Sequence, residues 1–342
     1  AFKHGGGVPA VPKAELLEAL RTDPAEPQRW CDLGNAMLKA GDKERALYCF
    51  SRALDLGPDI PFMLVQAAKF HFDIKENTHA FQLMTHALAL DAGYSDLIFD
   101  DYEKRGIQPE EILRYGLPQD ARVSRNYLSR LLDEQRTIDA AKTWEWMVSR
   151  GYADDKLANK YVDYLMQGGK DEAAVQVWAH YASTRDRSYP EGNRIFNGDF
   201  ELDPAGSQFD WRIEPAKGTT IDFDRSVRYS GSRSLRIQFD GTQNVSGVGV
   251  SQTLFLKPGR YRFQAYVHTE EVSTDEGIAF NVAGFTTKSL LGTNDWTAVE
   301  RGFQVQPGQE LAQVTVVRKV SLRFDSLIRG TVWIDHVSIS PD

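Results

Sequence analysis

From Trp30 the chain reads Trp-x2-Leu33-Gly34-x2-Met37, followed by Gly41, Ala46, Phe50, Ala53 and Pro58. Trp30, Leu33, Gly34 and Met37 stand at i, i+3, i+4 and i+7, one face of a helix. Phe50 and Ala53 make the matching stripe on a second helix, Gly41 supplies the turn and Pro58 stops the second helix. Small residues at Gly34 and Ala46 let the two helices approach closely. Moving forward 34 residues, Leu64, Ala67, Ala68, His71, Ala80, Met84 and Ala87 occupy the same slots. Tyr127, Leu128, Leu131, Ala140, Trp144 and Met147 fit another hairpin. Tyr161, Val162, Leu165, Ala174, Trp178 and Tyr181 fit one more, 34 residues later, with Gly168-Gly169 at its turn. Between them Gly106, Pro109, Gly116 and Pro118 break the period and predict shorter helices. Such a hairpin cannot bury its faces alone, so the repetition implies a stack with a continuous core.

The first hairpin resembles the tetratricopeptide repeat, with Met37 where that family has Tyr. The resemblance implies an α-α superhelix with a groove that takes a protein or peptide partner. Its groove positions would be Gln28, Cys31, Asn35, Leu38 and Lys39. Asn35 and Lys39 match a clamp for a terminal carboxylate, but their counterparts one repeat on are Lys69 and Asp73, and an acid there departs from the clamp.

After Tyr189-Pro190 the text changes to short alternating runs with Gly-rich turns, an all-β pattern. Tyr261, Phe263, Ala265 and Val267 face one way, and Arg262, Gln264, Tyr266 and His268 the other. Asn281 likewise faces away from Phe280 and Val282. The division expected is residues 12–188 helical, 189–193 linker and 194–341 sandwich. Asn197-Gly-Asp-Phe-Glu201, Trp211, Tyr229-Ser-Gly-Ser-Arg-Ser-Leu-Arg-Ile237, Leu256-Lys-Pro-Gly-x-Tyr261, Asp295-Trp-Thr297 and Trp333-Ile-Asp-His-Val-Ser-Ile339 follow in order. This order resembles carbohydrate-binding modules of families four and nine, galactose-binding-like jelly rolls. It implies a multidomain α + β chain that ends in a jelly-roll sandwich. It also implies a structural calcium ion held by Glu201 and Asp335 with carbonyls near Ser230–Arg233. A glycan would lie on one sheet, with Tyr266 stacking and His268, Asn281, Arg318 and Arg323 bonding hydroxyls.

Basic and acidic residues number 24 and 29 up to Pro190, and 16 and 19 after it, within totals of 40 and 48. Neither half offers the clustered basic surface that nucleic acid requires. No run of about 18 apolar residues exists, so a membrane would be met only through a segment absent from this chain. The opening Ala1-Phe-Lys-His-Gly-Gly-Gly7 has neither an initiator Met nor a signal peptide and reads as a trimmed or mature end. Cys31 and Cys49 read as free thiols, and Asn244-Val-Ser246 matches a glycosylation acceptor.

There is no His-Glu-x-x-His, Gly-x-Ser-x-Gly, phosphate loop or dinucleotide fingerprint. Asp222-x-Asp224 lies outside any nucleotide-binding context and reads as surface charge. The expectation is a non-catalytic adaptor without an organic cofactor. It would join a protein partner to a polysaccharide or glycan, outside the cytoplasm, in bacterial exopolysaccharide or export machinery, and be membrane-anchored in a longer parent chain. The alternatives are a scaffold whose sandwich has lost sugar binding and, third, an enzyme of sugar metabolism, which needs a pocket of convergent carboxylates.

Overall fold

The computed structural model describes residues 12–342; the opening Ala1–Gly7 lies outside them. The chain belongs to the multidomain α + β class: helical hairpins come first and two antiparallel sheets follow. It divides into two compact units, one ending at Tyr152 and the other running from Ala153 to Asp342. Among the described residues no helix is long and apolar enough to cross a membrane.

In the first unit α1 is Lys13–Thr22, and α2 (Pro27–Lys39) with α3 (Lys43–Leu56) forms the first predicted hairpin. Pro27 opens α2 and the Glu26 carboxylate accepts from Gln28 N–H. A Cβ on Gly34 would sit 3.2 Å from the Phe50 ring, so the small residue does let the helices close. The pair α4 (Pro61–Asp73) and α5 (Asn77–Leu90) repeats the unit. The irregular stretch holds α6 (Ser95–Lys104), α7 (Pro109–Glu111) and a π-helical turn at Ile112–Gly116, and α8 (Ala121–Asp133) with α9 (Thr137–Ser149) follows.

The second unit opens with α10 (Asp155–Gln167) and α11 (Asp171–Ala182). Each of the four hairpins turns the same way. The N–H of Asp42, Glu76, Arg136 and Lys170 returns to the carbonyl of Met37, His71, Leu131 and Leu165 at 2.8–3.0 Å. The residue before each donor is left-handed: Gly41, Lys75, Gln135 and Gly169, at φ +79°, +70°, +58° and +66°.

Trp30 differs from its expected place. It is half-buried, with Nε1–H on the Pro24 carbonyl at 2.8 Å and its ring edge-on to Tyr48 at 5.8 Å. The buried stripe of α2 is Cys31, Leu33, Gly34 and Met37, which leaves Trp30 at its margin. Cys31 and Cys49 are buried and unbridged, and burial pushes their thiols up to about 12 and about 11.

The sandwich has strands β1 (Arg212–Ile213), β2 (Thr219–Asp224), β3 (Ser234–Asp240), β4 (Gly247–Phe255), β5 (Gly259–Val272), β6 (Ile278–Val282), β7 (Phe285–Thr286), β8 (Gly292–Val305), β9 (Leu311–Arg318) and β10 (Arg329–Pro341). One sheet runs β1-β4-β9-β6-β7 and the other β2-β3-β10-β5-β8. Their facing side chains, among them Phe263, Val267, Phe280, Val314 and Ile334, form one core. The alternation read along β5 holds: Tyr261, Phe263, Ala265 and Val267 are buried and their neighbours are not.

Composition placed a linker at 189–193, but packing puts the break earlier. Helices α10 and α11 belong to the compact unit of the sandwich. Trp178 of α11 meets Phe196 edge-on at 5.4 Å, and Tyr189 meets the same ring at 5.4 Å. The Gln252 amide brackets the Phe196 backbone at 3.0 and 2.9 Å. Asn159 reaches the Ala205 carbonyl at 2.7 Å, and Gln208 reaches Asp163 at 3.2 Å. A composition shift marks where strands begin, not where the apolar faces close.

Candidate functional site

On the outer face of the β2-β3-β10-β5-β8 sheet, strand register sets aromatic residues side by side. Trp333 lies opposite His268 and Asp335 opposite Tyr266. Ring centroids of His268 and Trp333 are 5.0 Å apart, and those of His268 and Trp296, on β8, are 5.7 Å apart. Tyr229, from the turn between β2 and β3, lies flat on Tyr266 at 3.7 Å and 14°. Trp296 stands 5.8 Å from Tyr229 at 61°, and exposed His336 stands 5.9 Å from Tyr266. Tyr229 is 43% exposed, while Trp296 and Tyr266 are half-buried. The hydrogen bond with Tyr266, and after it desolvation, holds the Tyr229 phenol above its usual range.

Polar groups flank the rings. Arg236 binds Asp222 through two nitrogens at 2.8 and 2.6 Å and Asp224 at 3.2 Å. Trp333 donates Nε1–H to Asp224 at 2.9 Å, which is the first cause holding that carboxyl below its usual range. The Asp-x-Asp pair is thus engaged by neighbouring side chains. His268 Nδ1 is buried without a hydrogen-bond partner, and the Asp295 carboxylate is 3.9 Å from it.

The turn that carries Tyr229 is gripped by two acids. Asp335 Oδ2 accepts from Tyr229 and Ser230 N–H at 2.9 Å each, and its Oδ1 from His336 N–H at 2.7 Å. Burial raises the Asp335 carboxyl despite these bonds. Glu201 Oε1 accepts from Ser232 N–H at 2.6 Å and Arg233 N–H at 3.3 Å, and Oε2 from the Ser232 hydroxyl. Burial pushes Glu201 up, but Ser232 and the backbone donors outweigh it and leave the carboxyl low. Gly231, at φ +61°, suits the left-handed turn, and a Cβ there would lie 2.1 Å from Glu201 Oε1 and push that carboxylate off its donors.

These carboxylates do not fit the calcium cage that the resemblance implies. Calcium takes six to eight oxygen ligands. Here the carboxylate lone pairs face N–H donors, whose positive ends would repel a cation. Among the described residues no cluster of three or more His, Cys, Asp or Glu could hold a metal.

The other expected site residues do not join the ring cluster. Asn281 lies on β6 of the opposite sheet and bonds Thr286 at 3.2 Å. Arg318 is 2% exposed, and its guanidinium is used up on Glu276, Asn244, Val245, Thr274 and Ser326. Arg323 sits in the β9–β10 loop, 3.0 Å from Asp275. Asn244, the glycosylation candidate, spends its amide on Ser321 and Arg318. Tyr229, Trp296, Trp333 and His336 each lie in a quoted motif but were not read as site residues; strand pairing brings Trp296 and Trp333 to this face, and a turn and a β-bulge bring Tyr229 and His336.

In the first unit, Gln28 bonds Asp32 at 3.1 Å, Asn35 is half-buried and Lys39 exposed, while Cys31 is wholly buried and cannot line a groove. Lys69 is 4.0 Å from the Asp101 carboxylate and Asp73 is paired with the Arg105 guanidinium, so opposite charges within the chain already neutralise these positions. A cavity of about 650 Å³ beside Trp211 is lined by Asp163, Glu214 and Asp222. Each of these acids has a partner: Gln208, Arg212 and Arg236.

No protein-family model matches the sequence, and no curated protein matches it. Among solved structures, the chain is similar to a CBM61 module solved with β-1,4-galactotriose, with 20% identity over 44% of this chain and 99% of that one and a TM-score of 0.33. A CBM4 module shares 17% identity over 43% and 99%, with a TM-score of 0.32. The CBM22-1 xylan-binding domain of Paenibacillus barcinonensis Xyn10C shares 15% over 38% and 85%, with a TM-score of 0.27. All three are carbohydrate-binding modules, and the likeness lies in the all-β part of the chain.

Proposed function

We propose that the chain is a non-catalytic adaptor. The sandwich binds a polysaccharide or glycan on the outer face of the β2-β3-β10-β5-β8 sheet, and the tetratricopeptide-like hairpins hold a protein or peptide partner. On this reading the protein works outside the cytoplasm, in bacterial exopolysaccharide or export machinery. The observation that carries the sugar reading is the group of Tyr229, Tyr266 and Trp296 on one polar face, set 3.7 and 5.8 Å apart. Pyranose rings stack their C–H faces on such rings, while His336, His268 and the Asp222–Arg236–Asp224 group lie within reach of hydroxyls. The exposed ring is Tyr229 rather than Tyr266, so Tyr229 is the first surface a sugar meets.

One observation favours the scaffold alternative: Tyr229 covers the ring face of Tyr266, so part of the platform serves an internal contact. A glycan array probed with residues 153–342 separates the two. On the adaptor reading some glycan binds, and Tyr229→Ala or Trp296→Ala weakens it by about 1–3 kcal/mol, by analogy with other ring-stacking contacts, with little change in melting temperature. Failure to bind any glycan, or equal affinity in both variants, leaves the scaffold reading.

A further inference from the structure

The β9–β10 loop, residues 319–328, carries the most exposed apolar side chains described in the protein: Leu322 at 97% and Phe324 at 108%. Their neighbours are pinned. Ser321 is buried, donates its hydroxyl to Asp275 at 2.6 Å and is bracketed by the Asn244 amide at 2.9 and 3.1 Å. Arg323 donates N–H to the Ser321 hydroxyl at 3.2 Å and pairs with Asp275 at 3.0 Å. Buried Arg318 ties Ser326 to the 244–245 and 274–276 segments. Residues 321 and 323 are therefore tied to the sandwich by these bonds, while the side chains of 322 and 324 stand in solvent.

The same end of the sandwich presents further apolar surface. Val320 and Leu327 are 44% and 47% exposed, and Leu291, next to the Leu290–Ile278 bridge, is 41% exposed. Exposed apolar side chains gathered on one loop in this way mark a site that meets something apolar. The charge on the loop itself narrows the choice. Residues 319–329 contain three basic side chains and one acidic one, in a chain of net charge −8. Arg323 is shared with Asp275, but Lys319 and Arg329 are exposed and have no carboxylate partner among the described residues.

The geometry points to peripheral docking of this loop on an anionic lipid bilayer. Leu322 and Phe324 enter the interface, and Lys319 and Arg329 meet the headgroups. A narrow protruding tip suits a deformable phase, where apolar side chains insert shallowly while backbone and cations stay at headgroup level. This contact lies on the surface of a membrane and needs no spanning segment. It also involves a part of the sandwich separate from the ring cluster.

The test is sedimentation of the full chain with phosphatidylcholine vesicles and with vesicles containing roughly a third phosphatidylglycerol, at low and high salt. The expected result is binding to the anionic vesicles that weakens as salt rises. The Leu322→Ser/Phe324→Ser variant should bind about tenfold less or worse and melt like the parent, since neither side chain is packed. Lys319→Glu/Arg329→Glu should lose the preference for anionic vesicles. The proposal is overturned if the parent chain sediments with neither vesicle, or if the apolar variant sediments as the parent does. A parent dimer in light scattering that becomes monomeric in the Leu322→Ser/Phe324→Ser variant would equally overturn it, by assigning the tip to self-association.

Discussion

Trp178→Ala tests whether α10 and α11 are part of the sandwich unit. Trp178 is fully buried, edge-on to Phe196 at 5.4 Å and tilted against Tyr181 at 5.9 Å. Truncating a buried Trp costs about 3–5 kcal/mol. Loss of the two ring contacts adds about 0.5–1.5 kcal/mol each. Against that, the indole Nε1 is buried without a hydrogen-bond partner, so its removal returns about 1–3 kcal/mol. The opposing corrections nearly cancel, and about 3–5 kcal/mol remains. In urea, where stability falls by about 2 kcal/mol per molar, the midpoint of residues 153–342 should drop by roughly 1.5–2.5 M. Helix signal by circular dichroism and fluorescence of buried Trp211 report on the two parts of this fragment. Both should move together, because Phe196 is sealed by the hairpin on one side and by Gln252 on the other. A variant in which the helix signal shifts while the Trp211 signal stays would refute the boundary at Ala153.

Asp210 is wholly buried, and desolvation raises its carboxyl to about 6 from 3.8 despite N–H donors at Ala205 and Trp211. The folded state therefore binds the proton more tightly than the unfolded one, so this contribution is present below about pH 4 and lost as pH rises to about 6, at a cost of about 3 kcal/mol. Asp210→Asn should flatten that part of the stability–pH curve, and an unchanged slope between the two pH values would contradict the assignment. Trp30→Ala, at a half-buried site, should lower stability by about 1–2 kcal/mol rather than the larger cost of a core Trp, and a shift above about 3 kcal/mol in denaturant melts would mean that Trp30 is core. Chelator should leave the melting temperature unchanged, whereas Asp335→Ala should cost about 2–4 kcal/mol by stranding N–H groups of the Tyr229 turn; a fall in melting temperature on chelation would restore the cation.

The hairpins were legible because helix packing is local. Gly34 faces Phe50 from sixteen positions away (50 − 34), and both belong to one repeat. The later copies read more faintly for a physical reason visible at their turns. Gly41 and Gly169 advertise the left-handed residue that ends a helix, but Lys75 and Gln135 adopt it without a glycine to mark it. A non-glycine there costs about 1 kcal/mol, which the buried stripes on either side can offset. Trp30 fails differently. The i, i+3, i+4 rule fixes a stripe about a third of the circumference wide, and a residue at its edge can lie half in solvent without breaking the pattern.

The binding face was only half legible. Alternation along β5 correctly separates Tyr266 and His268 from the core residues, because the period of two is a property of one strand. It cannot say which sheet a strand joins. Asn281 obeys the same rule on β6 and ends up on the other sheet, where no alternation could bring it to Tyr266. Nor can a strand rule place Tyr229, whose position depends on a turn held by Glu201 and Asp335 from 28 residues before and 106 after. Those acids show how one motif can carry a structural role that its residue types do not announce. Their spacing in the family pattern suggested a cation, yet at this turn the same two side chains accept backbone N–H groups. The turn that results lays a tyrosine across Tyr266, so the acids shape the face on which a sugar would stack.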